Sequence, residues 1–222
     1  MPLFAIGAVP AATRAEFSAG VVRIAAALGI PANWLMGVFW AESRVGLRPN
    51  NIQHGRLIAT GLIQFTQIAI TELNRQFGHR LTLGAMQQKS LTQQLPFVQD
   101  YFRRQMQVFG RPKTAEDLYL LTFTPAAMGK PDGRVLYRKG SPAYAQNRLD
   151  YNGDATISVG EVREFFRRQL QSGENYQMVL ETAKTAAQTS FSLSAFVLVS
   201  GGVDWLIRRE KSIIFTLLNP KK

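Results

Sequence analysis

One acidic side chain stands inside an apolar stretch: Glu42, at the end of LMGVFWAES, residues 35–43. Leu35, Val38 and Phe39 fall at i, i+3 and i+4, and Glu42 follows at i+7 on the same helical stripe. Trp34, Met36 and Trp40 cover much of the remaining surface, so the helix is expected to be buried on most sides. Burial disfavours an ionised carboxyl and raises its pKa. A carboxyl that stays protonated near neutral pH is what general-acid chemistry needs. The competing reading is a helix-end Glu that points to water, because the apolar run breaks at Ser43-Arg44.

A second set of oxygen-bearing residues runs from Asp150 to Glu161 and fits a 12-residue EF-hand loop. Asp150, Asn152, Asp154, Ser158 and Glu161 occupy positions 1, 3, 5, 9 and 12, and the Thr156 carbonyl occupies position 7. Such hard oxygen donors suit Ca2+ in a structural role. Ile157 at position 8 supplies an apolar contact, PAYAQNRL can enter the loop as a helix and VREFFRRQL can leave it as one. Position 6 breaks the pattern: it is Ala155, where Gly usually permits a sharp turn at positive φ. A loop that keeps the turn and has lost the metal is the alternative.

Composition narrows the remaining chemistry. The 222 residues contain no Cys, which excludes disulfides, a thiol nucleophile and thiolate metal sites. With only His54 and His79, a histidine-rich zinc site is not expected. Hydrophobic residues make up 46%, enough for a packed core. Lys and Arg outnumber Asp and Glu by 26 to 15, a formal +11 that suits a polyanionic partner: nucleic acid, an anionic membrane face or an acidic wall polymer. The basic residues are scattered, with no dense block interleaved with aromatics, so nucleic acid is not the expected partner.

The elements that must position these groups read as helices. Thr13 and Glu16 have capping-box spacing, Phe17, Val21, Ile24, Ala25 and Leu28 follow at helical spacing, and Gly29 with Pro31 ends the element. The next helix is expected from about Asn33, as N-cap, to Ser43. Residues 45–60 read as an irregular loop, and Gly61 to Phe65 as a compact apolar segment with a glycine hinge. A helix over Thr66–Phe77 would turn Ile68, Leu73 and Phe77 inward. Ser90 and Gln93 again have capping-box spacing, but Pro96 moves the expected helix start to about Leu95. Thr114 opens another helix that ends near Pro125; residues 129–141 read as loop. No segment before residue 150 reads firmly as strand, so a mostly α fold is expected.

At Trp40-Ala41-Glu42-Ser43-Arg44, followed by Thr60-Gly61-Leu62-Ile63-Gln64-Phe65, the chain resembles the soluble-lytic-transglycosylase branch of the lysozyme-like superfamily. The likeness extends to phage and bacterial members with an EF-hand loop after the catalytic domain, covering about residues 15–170. It implies a lysozyme-like helical fold with a cleft, and cleavage of the bond between N-acetylmuramic acid and N-acetylglucosamine in peptidoglycan. It also implies Glu42 as the single catalytic acid, with Ser43 orienting the carboxyl or contacting sugar. Gln64 would hydrogen-bond substrate beside Phe65, and Gly61 would let the backbone approach it. Many relatives carry a Tyr-Asn pair where this chain has Phe123-Thr124. Phe123 can line a cleft but donates no hydrogen bond. Tyr119, one helical turn earlier, could substitute. Hydrolysis of the muramidase type would need a second carboxylate, for which Glu72, Asp100 and Asp117 are available. A non-catalytic calcium-binding or wall-binding component of the same fold is the remaining alternative.

The expected organisation is a lysozyme-like domain over 1–140, the EF-hand-like loop with its flanking helices over 141–172, and a C-terminal helix with an apolar tail over 173–222. Residues 174–188 read as helix. Beyond them, Phe191–Ile207 is apolar but interrupted by Gly201, Gly202 and Asp204, short of a clean membrane span. β-branched and aromatic residues at Phe196–Val199 and Ile213–Phe215 favour short strands or a docking arm for another protein, with membrane contact the lesser alternative. The N-terminus has no basic region before its apolar stretch, and Pro10 interrupts it, so a signal peptide is not expected. A wall enzyme without one would be carried in a virion or delivered by a secretion machine.

Overall fold

The computed structural model describes the backbone of residues 2–199 and the side-chain surroundings of residues 2–185. Among them the chain is mainly α: eight α-helices, two single-turn 3-10 helices and five short strands. Residues 1–177 make one compact unit and a second begins at Met178, described as far as Val199.

The centre of the first unit is α2 (Ala32–Ser43), in which Leu35 through Trp40 are all buried. A helix apolar all round can only sit inside a core. Around it lie α1 (Ala11–Leu28), α5 (Leu91–Phe109) and α6 (Ala115–Phe123). The loop segment joins the same core through Leu149, Ile157, Val159, Val162 and Phe166. The helix that leaves it, α8 (Val159–Val199), presses Phe166 and Leu170 onto Gly37 of α2. A Cβ at Gly37 would stand 2.8 Å from Leu170 Cδ2, so glycine is what lets the two helices approach.

Several local expectations are corrected. The first helix begins at Ala11 after Pro10 and has no side-chain cap; the Thr13 hydroxyl donates to the Pro10 carbonyl instead. Pro31 likewise precedes α2, and the Asn33 side chain accepts the N–H of Phe4 at 2.9 Å rather than capping. The capping box at Ser90 and Gln93 is formed, so α5 starts at Leu91 and carries Pro96 inside it. In α3 (Gln67–Phe77) the inward stripe is Ile70, Leu73 and Phe77, and Ile68 is 83% exposed.

Residues 45–60 are not simply loop. β1 (Asn50–Gln53) and β2 (Arg56–Thr60) form an antiparallel hairpin, and β3 (Phe65–Thr66) adds to β2. His54 and Gly55 make its two-residue turn, both at positive φ (49° and 74°), the conformation that matches strand twist. β1 is exposed at every residue, so no apolar alternation announces it. A second pair is also unexpected: β4 (Val135–Arg138) lies within the expected 129–141 loop and pairs with β5 (Thr156–Ser158). The helix entering the 150–161 loop is only Pro142–Gln146 (α7). The expected strand at Phe196–Val199 is helical, as the end of α8; Ile213–Phe215 and Gly201–Gly202 lie outside the described residues.

Candidate active site

Glu42 sits in the last turn of α2 with its side chain half-buried. No hydrogen bond or ion pair reaches its carboxyl among the described residues, and burial pushes it up from the ordinary 4.5 to about 8. Two buried phenols lie near enough to feel its charge, Tyr101 from α5 and Tyr119 from α6. Burial raises the pKa of each, and the charge of Glu42 raises it further. Tyr101 is committed, since its hydroxyl donates to the Leu121 carbonyl at 3.0 Å. Among the described residues the Tyr119 hydroxyl has no such partner. Its ring is held flat on Phe166 (4.8 Å between centroids, 12° between planes) and flanked by Phe123 and Phe165. Among the described residues the sealed polar side-chain atoms without partners are Thr122 Oγ1 and Gln169 Oε1. Glu42 and Tyr119 are not among them: Glu42 is half-buried, and Tyr119 is buried at 3% exposure.

The chain after Glu42 turns through three consecutive left-handed residues, Arg44 (φ 56°), Val45 (φ 52°) and Gly46 (φ 85°). A β-branched residue rarely adopts that conformation, and such strain persists only where the surroundings hold it. Here the Arg44 and Val45 amides donate to the Trp40 and Phe39 carbonyls, so the helix end is closed without glycine at its first two left-handed positions. Val45 is fully buried, and the Arg44 guanidinium lies over the Trp40 ring at 5.0 Å.

Ser43 is buried, and its hydroxyl serves backbone only. It donates toward the Phe39 and Leu62 carbonyls (3.1 and 3.0 Å) and accepts the Gly46 N–H (3.1 Å). Gly61 (φ 84°) is approached by the Gln94 side chain, whose Oε1 would stand 2.6 Å from an added Cβ. Gln64 is left-handed (φ 51°), and its Nε2 donates to the Pro49 and Gly61 carbonyls, which closes the 61–64 turn. Phe65 is buried and meets Tyr101 edge-on. Phe123 is half-buried beside Tyr119.

Each candidate second carboxylate is paired elsewhere. Glu72 binds Arg75 and Arg104; Asp100 binds His79 and Arg103. Asp117 binds Arg163 and the Lys113 N–H, and Arg163 also reaches Asp132.

In the 150–161 loop every carboxylate is engaged. Asp150 accepts the N–H groups of Gly153 and Ala155 and the Tyr144 hydroxyl. Asn152 accepts the Asp154 N–H, and Asp154 accepts the N–H and hydroxyl of Thr156. Glu161 accepts the N–H of Tyr151 and both N–H and hydroxyl of Ser158, while Ser158 Oγ accepts the Glu161 N–H. Ser158 and Glu161 thus form a capping box at the start of α8. Ala155 does take the left-handed conformation (φ 64°) that position 6 requires. The donors are all hard oxygens and fit Ca2+ chemically. Among the described residues, however, no three acidic or histidine side chains gather into a metal-holding group.

Neither family models nor characterised proteins match this chain in sequence.

Three contributors were missed from sequence: Gln94, Tyr101 and Phe166. All three sit on apolar stripes, where they read as ordinary core residues. The Ser158–Glu161 spacing serves both patterns, as a capping box and as positions 9 and 12 of the loop.

Proposed function

We propose that the chain is a glycan-cleaving enzyme of the lytic transglycosylase type, acting on the N-acetylmuramic acid–N-acetylglucosamine bond of peptidoglycan. One observation carries this reading: Glu42 is a half-buried carboxyl with no hydrogen-bond or ion-pair partner among the described residues, and desolvation pushes its pKa up to about 8. Protonated Glu42 gives its proton to the glycosidic oxygen as the bond to the anomeric carbon breaks. The resulting carboxylate takes the proton of the muramoyl 6-hydroxyl, and that oxygen closes on the anomeric carbon. The product is a 1,6-anhydro sugar, no water is consumed, and Glu42 ends protonated again. The substrate's N-acetyl group would stabilise the developing cation. Tyr119 supplies a free hydroxyl beside the acid, a hydrogen-bond donor that Phe123 lacks.

The pairing of Glu72, Asp100 and Asp117 with other groups favours a single-acid route over two-carboxylate hydrolysis. Calcium, if bound, would be held by Asp150, Asn152, Asp154, the Thr156 carbonyl, Ser158 and Glu161. It would brace the start of α8 and take no part in chemistry. Delivery in a virion or through a secretion machine, with the C-terminal tail as the docking element, is the context that fits a wall enzyme of this kind.

The test is digestion of purified peptidoglycan with mass analysis of released muropeptides, for the native chain and Glu42→Gln. Anhydro ends from the native chain and none from the variant are expected. Reducing ends would mean hydrolysis, and no release from either would mean a scaffold or wall-binding component.

A further inference from the structure

The Leu62 peptide is gripped from both sides. Its N–H donates to Gln94 Oε1 at 2.7 Å, and its carbonyl accepts the Ser43 hydroxyl at 3.0 Å. Gln94 is itself buried, 3% exposed, and its Nε2 donates to the Lys89 carbonyl at 3.1 Å. Gly61 can pass this amide only because it has no Cβ. On the other side, Ser43 Oγ receives the Gly46 N–H and so ties down the far end of the left-handed run 44–46. A continuous chain of bonds therefore runs from α5, through Gln94, Leu62 and Ser43, to the turn that follows Glu42. The same helix carries Tyr101, seven residues on and on the same face as Gln94.

We propose that Gln94 is a positioning residue for Glu42, acting through the Leu62 peptide and Ser43; this rests on the acid role proposed above for Glu42. The end of a helix that leaves through three left-handed residues is not fixed by its own backbone preferences. It is fixed by what holds it, and the buried amide of Gln94 is the anchor furthest from the chemistry. A small displacement of an acid from its target oxygen is enough to lower turnover by orders of magnitude. Binding of glycan along the rest of the surface would be unaffected.

The experiment compares Gln94→Leu, Gln94→Glu and Val98→Ala in the full chain. Val98 is fully buried on the same helix and controls for lost packing. Turnover of peptidoglycan is measured well below every melting temperature, with amide hydrogen exchange followed at Leu62 and Gly46. Gln94→Leu is expected to lower kcat about 10-fold or more with KM nearly unchanged, and to speed exchange at both amides. Gln94→Glu at acidic pH, where the protonated acid keeps an acceptor for Leu62 and a donor for Lys89, should recover most of both. Val98→Ala should change neither beyond its loss of melting temperature. Equal turnover in Gln94→Leu and Val98→Ala, or unchanged exchange at Gly46, would overturn the proposal. If the native chain releases no muropeptides, the acid role fails, while the Gly46 exchange still decides whether Gln94 holds the turn.

Discussion

The two carboxylate-bearing regions treat their acids in opposite ways. At the end of α2, Glu42 is half-buried with no bonding partner among the described residues, and burial raises its pKa to about 8. In the 150–161 loop, Asp150, Asp154 and Glu161 each accept two or more hydrogen bonds from the loop itself. Bonding of this kind holds Asp154 below the ordinary carboxylate range: the hydroxyl and N–H of Thr156 and the Asn152 amide all favour its charged form. An acid left unpaired at a cost to stability is available for proton transfer. Acids fully engaged with backbone are doing structural work, whether or not a cation joins them.

The sharpest way to break this contrast is to neutralise each side in turn. Glu42→Gln should lower glycan cleavage by about 100-fold or more, the scale of a lost general acid. It should also stabilise the fold. A carboxyl at 4.5 when unfolded and about 8 when folded costs nothing below the lower value. Its cost grows as pH rises between the two and is then constant, on the order of 1–3 kcal/mol after allowance for its contact with water. The gain in melting temperature should therefore be absent at pH 4 and largest at pH 8 and above. Asp150→Ala is the converse. Three bonds to Asp150 are lost, so stability should fall by about 1–3 kcal/mol with cleavage retained once the protein is folded. Any rise in melting temperature with added calcium should vanish, and an unchanged calcium response would remove the metal from the loop. Tyr119→Phe keeps the stacked ring and removes only an unpaired hydroxyl, so thermal stability should hold while kcat falls about 10-fold, on the scale of one hydrogen bond to substrate. The smallest effect is expected of Ala155→Gly. Relief of a left-handed alanine is offset by unfolded-state entropy, leaving a gain of about 0.5 kcal/mol or less in thermal melts.

The helices were legible in the sequence because their signals are local. The apolar run around Leu35–Trp40, the left-handed Gly29 and the Thr114 cap all act within a few residues. The hairpin over residues 50–60 was not, since β1 is exposed throughout, only Ala59 and Thr60 of β2 are buried, and its turn is built from His54-Gly55. Glu42 was legible as a misplaced charge. The grip on it was not. Ser43 and Gln94 meet through the backbone of Leu62, and no periodicity encodes contacts between residues 19 and 32 positions apart. Tyr119 was named as a substitute for a missing hydroxyl, but its support from Phe166 depends on where α8 returns to the core.

The most direct measurement is a carbon-13 NMR titration of the Glu42 side-chain carboxyl in the folded protein, assigned by comparison with Glu42→Gln. A midpoint near 8 is predicted, with the group still protonated at pH 7. A midpoint near 4.5 would mean a carboxylate ordinarily solvated and ionised at neutral pH, and Glu42 would then have no claim to be the acid.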